Sequence, residues 1–256
     1  MPRTLKLTIA YDGSDFAGWQ RQANARSVQA EVEDAIARIE KTSITILGAG
    51  RTDAGVHAAA QVASVRLTCD MTPRALQRAL NAILPTDVRL MAIEEQPPSF
   101  NARHDARTKT YHYWIWNGVA LPPSLRRHAW HVAQALDLGA MCRGAATLVG
   151  EHDFAAFQGT GSDIKTTVRR ILVSRLGQLD VSHVVVSTPG DRLLRYEVTG
   201  TGFLRHMVRN IVGTLVDVGR RRLSPDDVTA ILASRQRQNA SATAPPHGLV
   251  LWKVEY

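Results

Sequence analysis

The chain has 256 residues, 45% of them hydrophobic, with 31 Lys and Arg against 23 Asp and Glu, a formal net charge of +8 and a pI near 10.0. That length and core content suit one large domain or two of about 100–150 residues, and the basic balance points to an anionic partner, nucleic acid or an acidic membrane surface. Cys69 and Cys142 lack CxxC or Cys/His spacing, which argues against a disulfide framework or a zinc site. No apolar run reaches the roughly 18 residues of a membrane span, and the N-terminus has no signal-peptide core. A reduced cytoplasm is the simplest compartment.

In chain order, Leu5, Leu7 and Ile9 alternate with polar residues and predict a half-buried strand over 5–10. Val28, Val32, Ala35, Ile36 and Ile39 share one helical face, so 27–40 reads as an amphipathic helix. Strands are expected at 43–48 and 60–67. Thr72 and Pro73 supply an N-cap and a first-turn proline for a helix that runs to Pro85, and a strand near 87–94 follows. This strand–helix–strand–strand–helix–strand order is that of a ferredoxin-like or split βαβ unit. Beyond 108, strands are predicted at 109–116, 169–176, 180–187, 192–199 and 248–255. Helices are predicted at 137–148, 204–218 and 225–234, the last capped by Ser224-Pro225-Asp226-Asp227. The expected fold is α+β: two ferredoxin-like (RRM-like) halves, 1–105 and 106–256, with mostly antiparallel sheets joined around a central cleft.

Three segments can carry chemistry. The first, Gly48-Ala-Gly-Arg-Thr-Asp-Ala-Gly-Val-His-Ala58, sets Asp53 among three glycines, beside Arg51 and just before His57. Such a loop is either a turn whose Thr and Asp cap backbone amides, or a scaffold presenting a nucleophile or base kept ionised by an arginine. His57 reads as a base or as a structural residue. The second, Phe100 to Trp114, interleaves Arg103, Arg107 and Lys109 with Tyr111, Tyr113 and Trp114. Phosphates meeting cations while an unstacked base lies on a ring is the pattern of single-stranded nucleic acid binding; ordinary strand packing is the other reading. In the third, Gly200 to Gly213, two apolar rows leave Arg205 and Arg209 four apart on the remaining helical stripe. A buried arginine needs a partner, either a carboxylate such as Asp53 or an RNA phosphate; a solvated basic stripe is the alternative. The runs Arg126-Arg127, Arg169-Arg170 and Arg220-Arg221-Arg222 fit a phosphate-tracking surface. His128-Ala-Trp-His131 has no supporting ligand cluster, and there is no Walker loop and no GxGxxG between strand and helix.

Four segments, in the right order and spanning nearly the whole chain, resemble the tRNA pseudouridine synthase A family. They are Tyr11-Asp-Gly-Ser-Asp-Phe-Ala-Gly-Trp-Gln20, Gly50-Arg-Thr-Asp-Ala-Gly-Val-His-Ala58, Phe100-Asn-Ala-Arg103 through Tyr111, and Gly202-Phe-Leu-Arg-His-Met-Val-Arg-Asn-Ile-Val-Gly213. The closing Thr243-Ala-Pro-Pro-His-Gly-Leu-Val-Leu251 is similar too, with Pro246 where Ala is usual; His104 and Lys109 also stand where other residues are commoner. The resemblance implies the pseudouridine synthase fold and isomerisation of uridine to pseudouridine at positions 38, 39 and 40 of the tRNA anticodon stem-loop. By it Asp53 is the essential aspartate, Arg209 its paired arginine, Tyr111 the ring stacked on the target base, and Arg51 the residue that helps flip the base out. Arg205, His57 and Arg103 are further candidates for holding substrate. It also implies a homodimer with no cofactor and no metal. The competing functions are a non-catalytic RNA-binding protein and a nucleoside hydrolase using Asp53.

Overall fold

The structure is a computed structural model that describes residues 2–161, 164, 166–180 and 189–256. Its elements are β1 (Arg3–Tyr11), α1 (Val28–Glu40), β2 (Leu47–Gly48), β3 (His57–Leu67), α2 (Pro73–Ile83), β4 (Val88–Gln96), β5 (Thr108–Asn117), β6 (Trp130–Val132), α3 (Leu138–Ala146), β7 (Gly150–Asp153), β8 (Val168–Leu179), β9 (Arg192–Gly200), α4 (Met207–Gly219), α5 (Pro225–Ser234) and β10 (Leu249–Glu255). The chain divides into two compact units, Met1–Arg107 with Val250–Tyr256, and Thr108–Leu249. The last seven residues thus cluster with the first unit, not with the 106–256 half to which the sequence assigned them.

In the first unit, β1 pairs antiparallel with β4 on one edge and β3 on the other, and β2 pairs antiparallel with β3. The strand order β4-β1-β3-β2 is the split βαβ arrangement expected from the element order. Leu5, Leu7 and Ile9 are fully buried, each contributing about 1.5–3 kcal/mol, and Val28, Val32 and Ile36 of α1 are equally buried. Thr72 caps α2 by accepting from Ala75 N, with Pro73 in the first turn. β2 is shorter than the predicted 43–48 because α1 competes for its backbone. Ile46 N donates to Glu33 Oε1 at 3.0 Å, and Gln29 Nε2 donates to Ile46 O at 3.2 Å. At the other end of the unit, β10 pairs parallel with β3, Val250 opposite His57 and Leu251 opposite Ala58.

The second unit is also α+β and mostly antiparallel, with a different strand order. β5, β9, β8 and β7 lie side by side, all antiparallel, and β6 pairs parallel with β5. Neither β6 nor β7 was expected, since runs of three and four residues show no period. The strand predicted at 180–187 lies, past Asp180, outside the described residues. α3 packs on α4, α5 and β8, and its Gly144 and the Gly219 of α4 let the helices approach: a Cβ there would stand 3.1 Å from Val228 and 2.6 Å from Met141. α5 starts with a capping box between Ser224 and Asp227, as the sequence predicts. α4 corrects its prediction. His206 takes a left-handed conformation, φ 58°, so the helix begins at Met207 and not at 204.

Candidate active site

In the first unit the half-buried Asp53 sits on the loop between β2 and β3. The Tyr11–Gln20 segment forms a shelf that fixes this loop. Trp19 N donates to Thr52 O at 3.1 Å, Gly55 N donates to Phe16 O at 3.3 Å, and the hydroxyls of Tyr11 and Thr52 share a buried 2.7 Å hydrogen bond. Burial pushes the Tyr11 phenol well above the usual tyrosine value, so it stays protonated. Val56 N closes the turn onto Asp53 O at 3.2 Å. Two glycines permit the approach. A Cβ on Gly13 would stand 2.0 Å from Val56 O, and Gly18, at φ 103°, would place one 2.7 Å from Thr52 O. Asp53 is therefore carried on a loop whose neighbours on both sides are fixed by backbone hydrogen bonds.

The flanking candidates divide between the loop's surface and its support. Arg51 is exposed, and its Nε donates to Gln20 Oε1 at 3.0 Å. Gln20 donates in turn to Gln29, which donates to the buried Glu33, so a polar chain rooted in α1 orients the arginine. His57 is only 3% exposed; its Nδ1 accepts from Gly13 N at 3.0 Å, with Asp12 Oδ1 3.2 Å from the same nitrogen. Arg103 is exposed in a turn closed by hydrogen bonds from Arg103 N and His104 N to Asn101 Oδ1.

In the second unit Tyr111 lies on β5 opposite Val198, 8% exposed, with its ring edge-on to Phe203 at 5.0 Å. Arg209 occupies the first turn of α4. Its Nε donates to Ala244 O at 2.8 Å, while Ala244 N donates to Arg209 O at 3.1 Å. The segment that supplies Ala244 is held by the fully buried Asn210, whose Nδ2 donates to Phe157 O at 2.8 Å. Asn210 Oδ1 accepts from Thr243 Oγ1 at 2.6 Å and Arg237 Nη2 at 3.1 Å. Gly213 allows the same segment to approach, since a Cβ there would stand 1.9 Å from Ala242 O. Nearby, burial first and then the charges of His128 and Arg209 hold His247 below the usual histidine value, against a hydrogen bond with the Ala129 backbone.

The expected helical stripe of Arg205 and Arg209 does not form. Arg205 lies before the helix, exposed, with Nη1 donating to Thr160 O and Gly161 O at 3.0 and 3.1 Å. The run Arg220–Arg222 is paired with carboxylates: Arg220 and Arg222 meet Asp217, and Arg221 meets Asp137. Among the described residues, no cluster of three His, Cys, Asp or Glu side chains could hold a metal, and no helix is long and apolar enough to cross a membrane. Sequence reasoning singled out neither Tyr11, Gly13, Gly18 and Thr52 as the loop's supports nor Asn210 as that of Arg209. The available signal was two glycines, a tyrosine and a tryptophan within ten residues.

A family model for tRNA pseudouridine synthase matches residues 7–105 and 145–256. Relatives named "tRNA pseudouridine synthase A" include one from Moorella thermoacetica, 43% identical over 98% of this chain and 99% of its own. Others are from Geobacter sulfurreducens, 43% identical over 99% and 100%, and Nitratidesulfovibrio vulgaris, 44% identical over 98% and 99%.

Proposed function

The chain belongs to the tRNA pseudouridine synthase family, and we propose that it isomerises uridine to pseudouridine at positions 38, 39 and 40 of the tRNA anticodon stem-loop. The observation that carries this reading is the Asp53 loop, a carboxylate on a backbone-pinned turn with an exposed arginine two residues before it. In the reaction the bond from uracil N1 to the ribose C1′ breaks, the uracil turns while held, and C5 bonds to C1′. A proton leaves C5 and N1 gains one, so the product is an isomer.

Asp53 serves as nucleophile or base in this scheme, and Arg209 pairs with it. Flipping the target out of its stack costs a few kcal/mol. Tyr111 offsets part of that by stacking on the base, and Arg51 by taking the vacated place. Arg205 and Arg103, both exposed, meet RNA phosphates. His57, buried against the 12–13 turn, positions the loop instead of touching RNA. The enzyme works as a cytoplasmic homodimer; a single species of monomer mass in sedimentation at micromolar concentration would remove that part.

The test is incubation with unmodified tRNA, then site-resolved pseudouridine mapping and chromatography for released uracil. Pseudouridine at 38–40 without free uracil is expected, whereas free uracil would identify a hydrolase. Asp53→Asn should abolish product while the variant still binds tRNA. Near-normal turnover by that variant overturns the assignment of Asp53.

A further inference from the structure

The runs Arg169-Arg170 and Arg220–Arg222 of this basic chain are not equivalent in the folded protein. The three guanidinium groups of Arg220–Arg222 share two carboxylates, Asp217 and Asp137, which offset most of their charge. Arg169, at the start of β8, is half-buried and among the described residues pairs with no carboxylate: its Nη1 donates to the backbone oxygens of Thr166 and Val168 at 2.9 and 2.6 Å. The guanidinium lies across Gly202, where a Cβ would stand 3.6 Å from its Nε and 3.7 Å from its Cδ. Gly202 precedes Phe203, the ring packed edge-on against Tyr111. The turn itself is fastened to this end of β8, since Thr201 N donates to Arg170 O at 3.1 Å and a Cβ on Gly200 would stand 2.9 Å from the same oxygen. Arg205, two residues beyond Phe203, is likewise held only by carbonyls among the described residues.

A guanidinium has five donors in a planar fork suited to phosphate, and carbonyl partners fix its position without cancelling its charge. A half-buried arginine also has fewer rotamers to lose on binding than a solvated one. Burial holds Arg169 below the usual arginine value, which marks a cation already partly stripped of water. We infer that Arg169 binds a backbone phosphate of the RNA strand beside the nucleotide presented to Tyr111, with Arg205 as the second cation at the same turn. This rests on the proposed function and adds a substrate-binding residue to it. It also separates Arg169 from the paired arginines, which contribute only to the general field.

The experiment measures the Kd of the full-length protein for unmodified tRNA from about 50 to 200 mM salt, for the wild type, Arg169→Gln and Arg169→Lys. One phosphate contact contributes about 0.7–0.9 to the slope of log Kd against log salt. Arg169→Gln should bind roughly tenfold more weakly at low salt and lose about one such unit of slope, while Arg169→Lys, which keeps the charge, should keep the slope. The single-turnover rate at saturating tRNA should change less than about threefold, because the residue binds and does not react. An unchanged slope in Arg169→Gln overturns the inference, as does equal loss of slope in both variants. A wild type that binds tRNA but makes no pseudouridine overturns the proposed function and leaves the slopes readable.

Discussion

The two units support their candidate site residues by opposite means. In the first, Asp53 belongs to no regular element, and its loop is pinned by backbone amides, two close-approach glycines and one buried hydroxyl pair. In the second, Tyr111 and Arg209 stand on a strand and a helix, and the irregular segment at 241–244 is held against Arg209 by a buried polar side chain, Asn210. The lesson is about where each unit is vulnerable. Backbone hydrogen bonds survive side-chain replacement, so the first unit is most sensitive to an added Cβ. The second shares that sensitivity at Gly213 and depends in addition on a single amide.

The largest expected effect tests the glycines. Gly13→Ala drives a methyl group to 2.0 Å from Val56 O; something must shift, and destabilisation of about 3 kcal/mol is expected, measured by urea unfolding, together with loss of activity from the displaced Asp53 loop. Gly213→Ala, with its Cβ 1.9 Å from Ala242 O, should cost as much. Wild-type stability in either variant would mean that the close approach is not native. Next, Asn210→Ala removes the partner of Phe157 O and of the Thr243 hydroxyl, while Arg237 Nη2 keeps Thr243 Oγ1, at about 1–3 kcal/mol for each group left unpaired. Tyr11→Phe removes the hydroxyl that Thr52 and Gln61 share, while Gln61 keeps its bond to Gly50 O, and should cost about 1–3 kcal/mol in total. If Tyr11→Phe proves the more damaging, the contrast between the units fails.

Arg209→Ala should lower the single-turnover rate more than Arg205→Ala, because Arg209 is proposed to face the reacting carboxylate and Arg205 a phosphate. Equal and small effects on that rate would contradict the pairing with Asp53. A pH dependence is expected from a buried histidine of the second unit. His112 is buried, and that burial, reinforced by Arg195 and Arg175 against the opposing Glu197, lowers its value from 6.5 to about 4. The unfolded chain therefore takes up this proton first, and stability is lost as pH falls from about 6.5 to about 4. His112→Gln should remove that share of the slope in a pH series of thermal unfolding, and an unaltered slope would assign it to other groups.

The helices were legible where their signals are local. Thr72-Pro73 and Ser224 with Asp227 cap α2 and α5 as their spacing predicts, and α1 buries Val28, Val32 and Ile36 as its periodicity requires. α4 misled because the apolar rows run on through Phe203 and Leu204, while the left-handed His206 that ends the turn has no sequence signature of its own. A histidine there is uncommon, and Gly159, which would put a Cβ 2.6 Å from the His206 ring, makes the room for it. The candidate site was legible as residue types, an aspartate in a glycine-rich loop and arginines near aromatics, but not as a set of supports.

The sequence singled out Asp53 through the family resemblance, and by itself determined the α+β class, the strand–helix order of the first half and the caps. These follow from neighbours within about four positions, where propensity, periodicity and capping act. Tertiary structure alone decided that Glu33 and Gln29 take the backbone of Ile46 away from β2, that β10 joins β3 at His57, and that Arg169 is held by carbonyls while Arg220–Arg222 shares two carboxylates. Each is a competition between partners distant in the chain for the same hydrogen bonds or the same charge, and the folded geometry sets which partner is within reach.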